Sequence, residues 1–160
     1  MITGREDLLG AIAEAWALEK GLKEFYGYAA GKTGAGAVKD LLLRLKDWED
    51  SHMEYLSFLH RSVQGETNLA GYREFSEKMK GTHMESGIPV KEGLELYKPE
   101  ECESEADVIK VALRIEGKAY NFYRNLAEKA EDANARVVFG EMKEQEQKHI
   151  DLLKEHQAAM

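Results

Sequence analysis

The sequence predicts an all-α protein: one antiparallel four-helix bundle with a single long crossover between helices 2 and 3. Its 160 residues include only two prolines and are rich in alanine, leucine, glutamate and lysine, which favour helices. Four segments repeat apolar residues with the 3.6-residue period of a helix. The breaks between these segments are short, long and short, which is the pattern of two hairpins joined by a crossover. A chain of this length suits one domain, residues 1–160.

The first predicted hairpin starts at Thr3-Gly4-Arg5-Glu6, a capping box in which threonine and glutamate satisfy free N–H groups. Its first helix is expected to end near Ala30, where the glycine-rich GKTGAG (31–36) breaks it. Gly-Lys-Thr also ends phosphate-binding loops, but that motif needs a preceding strand and a glycine where Tyr26 stands. A turn is therefore predicted, followed by a second helix over about 37–63.

The second predicted hairpin starts after Ser104, which is followed three residues later by the acidic Asp107. This third helix is expected to reach about residue 130. A turn over 131–134 leads to the fourth helix, predicted over about 135–157. The crossover, about 64–103, is less regular and contains one short predicted helix near 72–79.

Composition argues against several kinds of partner. The formal net charge is −8 without a basic block, so nucleic acids and anionic membranes are poor partners. Cys102 is the only cysteine, which excludes an intrachain disulfide and a Cys-x-x-Cys site. The N-terminal residues lack the pattern of a signal peptide, and no apolar run approaches the ~20 residues of a membrane span. We therefore expect a cytoplasmic protein.

Each predicted helix has one face that is apolar except at its centre. In the centre stands a glutamate, and on the second and fourth helices a histidine follows it by three residues. A buried carboxylate loses several kcal/mol of hydration free energy unless it is paired or protonated. Four buried glutamates that face each other therefore predict that a positively charged group lies among them. In chain order, the four faces are Ile12, Ala15, Glu19, Leu22, Tyr26, Ala29; Val38, Leu42, Leu45, Glu49, His52, Leu56, Leu59; Ile109, Ala112, Glu116, Ala119, Tyr123, Leu126; and Ala135, Phe139, Met142, Glu146, His149, Leu153.

The two hairpins are related by an internal repeat with an offset of 97 residues. Within each hairpin the two central glutamates are 30 residues apart (49 − 19 and 146 − 116) and equally distant from the turn. With 1.5 Å of rise per residue, each pair lies about 22 Å from its turn, so all four carboxylates are predicted at one level. The offset maps Glu19 to Glu116, Tyr26 to Tyr123, Glu49 to Glu146 and His52 to His149.

Four carboxylates and two imidazoles without a thiolate suit two divalent transition-metal ions, since carboxylates bridge ions and imidazole favours Fe, Mn or Zn. Two such ions also balance four negative charges. This set resembles that of the rubrerythrin family, within the ferritin-like di-iron carboxylate proteins. The resemblance covers all four helices and rests on EKGLKEFYGYA (19–29), EDSH (49–52), EGKAYNFYRNLA (116–127) and EQKH (146–149).

The resemblance implies a ferritin-like fold and a non-haem di-iron oxidoreductase that reduces peroxide or O2 or oxidises Fe(II). It implies two iron ions, with Mn or Zn as possible substitutes, and a homodimer. Glu49 and Glu146 are expected between the ions. The implied ligands are Glu19, Glu49, His52, Glu116, Glu146 and His149.

Two departures from the family pattern affect the expected reaction. Rubrerythrins usually carry an additional glutamate three residues after the third-helix ligand, where this chain has Ala119, so a rubrerythrin-type peroxidase cycle is in doubt. They also carry a rubredoxin-like domain with four cysteines, whereas these residues end at Met160 with one. Electrons are therefore expected from a separate donor protein.

Several alternatives stay open at this point. The same ligands would serve a protein that sequesters or senses metal without turnover, and a purely structural cluster would keep its acids protonated or solvated. Tyr26 and Tyr123 are candidates to hydrogen-bond ligand carboxylates or relay an electron, or they pack as ordinary core tyrosines.

Other conspicuous residues are predicted to have no part in a site. Trp16 and Trp48 flank the buried faces and are expected to pack in the core or at an interface. Cys102 lies in the crossover and is taken as incidental. Three histidines lack a glutamate three residues before them and are predicted to lie on the surface: His60, His83 and His156.

Overall fold

The structure is a computed structural model that describes residues 4–65 and 102–160. These residues form the predicted all-α bundle. The short helix predicted near 72–79, most of the crossover and His83 lie outside the described residues. In chain order the four helices are α1 (Arg5–Lys32), α2 (Ala37–Gln64), α3 (Glu105–Lys129) and α4 (Ala133–Ala158).

The helices form two hairpins that face each other. α1 packs along α2 and α3 along α4, while α2 contacts α4 and α1 contacts α3 across the bundle. Residue numbers run in opposite directions across the α1–α3 contact, because Tyr26 meets Glu116 whereas Glu19 meets Tyr123. Every helix is thus antiparallel to the neighbours it touches, and the repeat relates one hairpin to the other by an approximate twofold.

The turn between α1 and α2 is the glycine-rich segment that was predicted to break the helix. α1 continues two residues beyond Ala30, and Thr33 then ends it with its N–H bonded to the Ala29 carbonyl at 3.0 Å. Gly36 has a φ of +151°, which side chains of L-residues disfavour. The segment is therefore a turn between antiparallel helices, with a helix rather than a strand before it.

The capping box predicted at the start of α1 is wrong. The N-cap is Gly4, which has no side chain to accept a hydrogen bond, and α1 begins at Arg5. Glycine is tolerated at this position because it adopts the extended backbone conformation that an N-cap requires.

The second hairpin is capped by side chains at both of its helix starts. Ser104 accepts a hydrogen bond from the N–H of Asp107 at 3.2 Å, as the sequence predicts. Asp132 accepts one from the N–H of Ala135 at 2.8 Å, so α4 begins at Ala133, two residues earlier than expected. Such caps typically stabilise a helix by about 1 kcal/mol.

The predicted inward faces are confirmed, because every residue assigned to them is buried. The apolar ones form two clusters, one on each side of the central carboxylates. The first includes Leu22, Leu42 and Ile109, and the second includes Ile12, Leu56 and Phe139. Burial of such side chains contributes about 25 cal/mol per Å² of apolar surface. The two clusters therefore stabilise the bundle and enclose a polar layer at its middle.

Four of the residues set aside in the sequence have defined places. Trp16 packs in the second cluster, as predicted, and Cys102 is half-buried beside the first. His60 is buried, with 7 % of its surface exposed, so the prediction of a surface histidine is wrong. His60 follows Leu59 directly and Leu56 by four residues, which places it at the margin of the buried face. His156 is half-buried at the end of α4.

Among the described residues, no helix combines the length and apolarity that crossing a membrane requires.

Candidate metal centre

The six residues predicted as ligands meet in the middle of the bundle. The four glutamates are completely buried, and the two histidines expose 7 % and 1 % of their surface. One glutamate comes from each helix because each stands halfway along its inward face. Their role as ligands stays a prediction, but their convergence is a property of the fold: Glu19, Glu49, His52, Glu116, Glu146 and His149.

The first half of the centre surrounds the imidazole of His52. Its Nδ1 lies 3.1 Å from Glu19 Oε2, 3.0 Å from Glu49 Oε2 and 3.2 Å from Glu146 Oε1. These four residues, which we call the His52 half-site, offer ligand atoms that all lie within 4.8 Å of one another.

The second half repeats this arrangement around His149. Its Nδ1 lies 3.3 Å from Glu49 Oε1, 3.4 Å from Glu116 Oε1 and 3.2 Å from Glu146 Oε2. We call these four residues the His149 half-site. The 97-residue offset relates the two half-sites: it is added to Glu19, Glu49 and His52 and subtracted from Glu146.

Glu49 and Glu146 belong to both half-sites. Each turns one carboxylate oxygen toward His52 and the other toward His149. A carboxylate whose two oxygens face different sites is suited to bridge two ions. Glu19 and Glu116 each serve only one half-site, as end ligands would.

The spacing of these atoms fits a shared ion. Ligand atoms about 2.1 Å from one ion, at angles between octahedral and tetrahedral, are separated by about 3.0–3.4 Å. The measured N···O separations span 3.0–3.4 Å. Hydrogen bonds have similar lengths, yet none of the four oxygens of Glu49 and Glu146 has a hydrogen-bond partner. Buried carboxylate oxygens without partners are costly, so this donor set fits divalent metal ions.

In the metal-free centre, burial and neighbouring charges raise the pKa of two glutamates and lower that of the other two. Burial, then repulsion from Glu146, raises the pKa of Glu49 well above its ordinary range. The same two causes raise the pKa of Glu116 to about 8. Burial works in the same direction on Glu19, but the attraction of His52 outweighs it and lowers the pKa of Glu19. Burial and the charge of Glu19 act to raise the pKa of Glu146, but the nearby imidazoles of His149 and His52 outweigh them and lower it.

The histidines carry the positive charge when metal is absent. Burial opposes their protonation, but the carboxylates around them raise the pKa of His52 far above its usual value and that of His149 to about 12. At pH 7 two imidazolium groups then face two ionised and two protonated carboxyls, so the metal-free cluster is neutral. Two divalent ions would restore the same balance by replacing four protons.

Two tyrosines hold the end glutamates from across the bundle. The Tyr26 hydroxyl on α1 donates to Glu116 on α3, and the Tyr123 hydroxyl on α3 donates to Glu19 on α1. Burial and the facing glutamates raise the pKa of both hydroxyls, so they are donors at neutral pH. The hydrogen-bonding role weighed for these tyrosines is thus the one observed.

Trp48 is a contact of the centre that the sequence did not reveal. Its ring stacks on the His149 imidazole with a centroid distance of 5.2 Å and an angle of 7° between the planes. The Arg44 guanidinium lies over Trp48, 5.2 Å from a ring centroid. The only indication in the sequence was its position, since Trp48 directly precedes Glu49 and lies at the edge of the inward face of α2.

Comparison with known proteins gives a family match for the second hairpin. No curated protein matches the chain. The family model described as rubrerythrin matches residues 107–160, which hold Glu116, Glu146 and His149. The 160 residues contain one cysteine, so they cannot form the four-cysteine iron site of a rubredoxin-like domain. Residues 107–160, which comprise most of α3 and all of α4, therefore match the rubrerythrin family, and the resemblance predicted from the sequence is confirmed for this part of the chain.

Proposed function

We propose that the chain holds two iron ions and works as an oxidoreductase that reduces peroxide or O2 or oxidises Fe(II). The observation that supports this best is the pair of half-sites that share Glu49 and Glu146. A single divalent ion would leave an excess of negative charge among the four buried carboxylates, because the two imidazoles are neutral when they bind metal. Two ions match both the charge and the duplicated geometry.

When bound, the irons supply the capacity to exchange electrons with a small oxidant. The residues of the chain orient and insulate them. Glu49 and Glu146, which face both half-sites, would hold both ions, and Glu19 and Glu116 would each hold one. Tyr26 keeps its proton on the hydroxyl and fixes the orientation of the Glu116 carboxylate, as Tyr123 does for Glu19. The apolar clusters above and below exclude water from this layer.

The alternative is a protein that binds metal for sequestration or sensing without turnover. Ala119 favours it, because this residue is fully buried and apolar at the position where rubrerythrins usually have another glutamate. The two functions use the same ligands, so chemistry rather than geometry separates them.

The resemblance also supports two proposals about partners. We propose a separate protein as the electron donor, since these residues contain no second redox site of the four-cysteine kind. We propose a homodimer as the working assembly, which sedimentation analysis of the purified protein would test.

Metal content is the first test. Protein purified from its native source should contain two irons per chain and show an optical spectrum of protein-bound iron. Glu116→Ala and His149→Ala should each bind fewer than two irons, because each removes an end ligand. Matched substitutions outside the centre, Glu128→Ala on exposed α3 surface and His156→Ala on α4, should retain both. Two irons in either ligand variant would refute the assignment.

Turnover separates the two candidate functions. Iron-loaded protein with a chemical reductant should consume hydrogen peroxide faster than the Glu116→Ala variant and than free iron at the same concentration. Two bound irons with no turnover of peroxide, O2 or Fe(II) would favour the sequestering or sensing role.

A further inference from the structure

A pocket opens onto the centre between α2 and α4. Its volume is about 470 Å³, within the range of small-molecule sites. Two of its lining residues are buried, His52 and Met142, and they form its floor. The pocket therefore leads from the protein surface to a predicted ligand. It is lined by Trp48, Ser51, His52, Tyr55, Glu141, Met142, Glu144 and Gln145.

Within residues 4–65 and 102–160, the place beside His149 that corresponds to this pocket is occupied differently. Adding 97 to Trp48 gives Gln145, just as it relates His52 to His149. Trp48 stacks on His149 and is itself covered by Arg44. Gln145, at the equivalent place beside His52, is exposed and lines the pocket. A flat aromatic ring thus covers one histidine where an exposed amide stands near the other.

Exposure of the two histidines agrees with this difference. The side chain of His52 is 9 % exposed and that of His149 is 2 % exposed. Both rings otherwise have equivalent surroundings, with three carboxylates each and a mutual stacking distance of 5.3 Å. The difference lies outside the six predicted ligands, where Trp48 and Gln145 stand at equivalent positions.

The lining indicates which molecules the pocket accepts. It offers hydroxyl groups from Ser51 and Tyr55, an amide from Gln145, and carboxylates from Glu141 and Glu144, with no lysine or arginine. Anions are disfavoured beside two carboxylates, whereas a small neutral molecule finds a donor in the Gln145 amide and acceptors in the carboxylate and hydroxyl oxygens. The Tyr55 hydroxyl donates to Glu141, which links α2 to α4 at this place.

We propose that small neutral oxygen species, such as hydrogen peroxide or water, reach the centre through this pocket at the His52 half-site, whereas Trp48 closes the His149 half-site. Gln145 is the residue that keeps the open side open. This inference rests on the proposed function, since it assigns a route to the same two-metal centre.

Nitric oxide is a suitable probe, because it is small and neutral and its binding to Fe(II) is visible optically. Stopped-flow mixing with the reduced, iron-loaded protein should show one rapid binding phase in the unmodified chain. Gln145→Trp should slow that phase at least about tenfold, equivalent to ~1.4 kcal/mol of barrier. Trp48→Gln should add a second rapid phase from the opened His149 half-site.

Two further variants make the result decisive. Gln147→Trp places the same ring on α4 away from the pocket, where Gln147 bonds to Asp151, and should bind nitric oxide at the unmodified rate. Gln145→Phe introduces a smaller ring and should also slow binding. It replaces Gln145→Trp in the experiment if the tryptophan variant does not fold. Iron content and far-ultraviolet circular dichroism are measured on every variant.

The outcomes separate this inference from the proposed function. If all variants hold two irons and Gln145→Trp and Gln145→Phe bind nitric oxide as fast as Gln147→Trp, the route is wrong and the two-metal centre stands. An unchanged single phase in Trp48→Gln would likewise overturn the closing role of Trp48. If the unmodified chain binds no iron, both proposals fail together.

Discussion

The two half-sites contain the same residue types, three glutamates and one histidine, but have different surroundings. His52 and His149 each face three carboxylates at 3.0–3.4 Å, in positions that the repeat interconverts. Outside that layer the equivalence ends, because Trp48 covers His149 while Gln145 leaves a pocket beside His52. The duplicated fold thus brings the six predicted ligands together, whereas the access that we propose for each half depends on single residues of the α2–α4 face.

Substitution of a bridging glutamate should break both halves at once. Glu49→Ala removes an oxygen from the His52 half-site and another from the His149 half-site, so binding of both ions should be lost. Glu19→Ala removes an oxygen from the His52 half-site only and should leave the other ion bound. Metal analysis after gel filtration provides the measurement. Equal metal content in the two variants would mean that Glu49 does not bridge.

Acidity should weaken metal binding steeply. The raised pKa values of Glu49, Glu116, His52 and His149 mean that the metal-free centre holds protons at pH 7 that the metal-bound centre cannot hold. Binding of two ions should therefore release about four protons, and lowering the pH favours the metal-free form.

Titration calorimetry in buffers of different ionisation enthalpy counts these protons. Above pH 8, where Glu116 is ionised before metal arrives, the count should fall toward about three. A count near zero at pH 7 would show that metal does not displace protons from these groups.

Removal of metal should lower the melting temperature. Free metal at about 1,000 times its dissociation constant stabilises a folded protein by about 4 kcal/mol, which corresponds to about 10 °C for a chain of this size. Differential scanning calorimetry with and without a chelator measures the shift. The Glu49→Ala variant is the matched control and should show no shift. An unchanged melting temperature in the unmodified chain would instead favour a structural cluster.

Loss of one tyrosine hydroxyl should have a smaller effect on one half only. Tyr26→Phe removes the donor to Glu116, and Tyr123→Phe removes the donor to Glu19. Partners of this kind typically change metal affinity by about 10–100-fold. Competition with a chelator should show weaker binding at the His149 half-site in the first variant and at the His52 half-site in the second. Unequal losses would reveal a functional difference between the halves that their geometry lacks.

The convergence of the six predicted ligands could be predicted because it depends on distances along the chain. Glu19 and Glu49 are equally far from one turn, as are Glu116 and Glu146 from the other, and helical rise converts equal counts into equal depth. The Glu-x-x-His spacing then places His52 and His149 on the same faces. These relations survive small errors in the helix ends, such as the two extra residues of α1.

Other contacts depend on how the hairpins meet, which spacing alone does not specify. The bond from Tyr26 to Glu116 requires α1 and α3 to be antiparallel neighbours, and the stack of Trp48 on His149 requires the α2–α4 contact. His60 became buried because the inward face is broader at its margin than heptad stepping assumes. Gly4 as N-cap reflects local backbone geometry, to which a glycine contributes no side-chain signal.

The crossed tyrosines have a consequence for assembly. Each hairpin supplies a glutamate whose orientation is set by a tyrosine of the other hairpin, and neither His52 nor His149 completes its environment with residues of its own hairpin. The centre thus requires two hairpins that face each other, but it does not require that one chain connects them. Two chains that exchanged hairpins would rebuild the same centre twice, residue for residue.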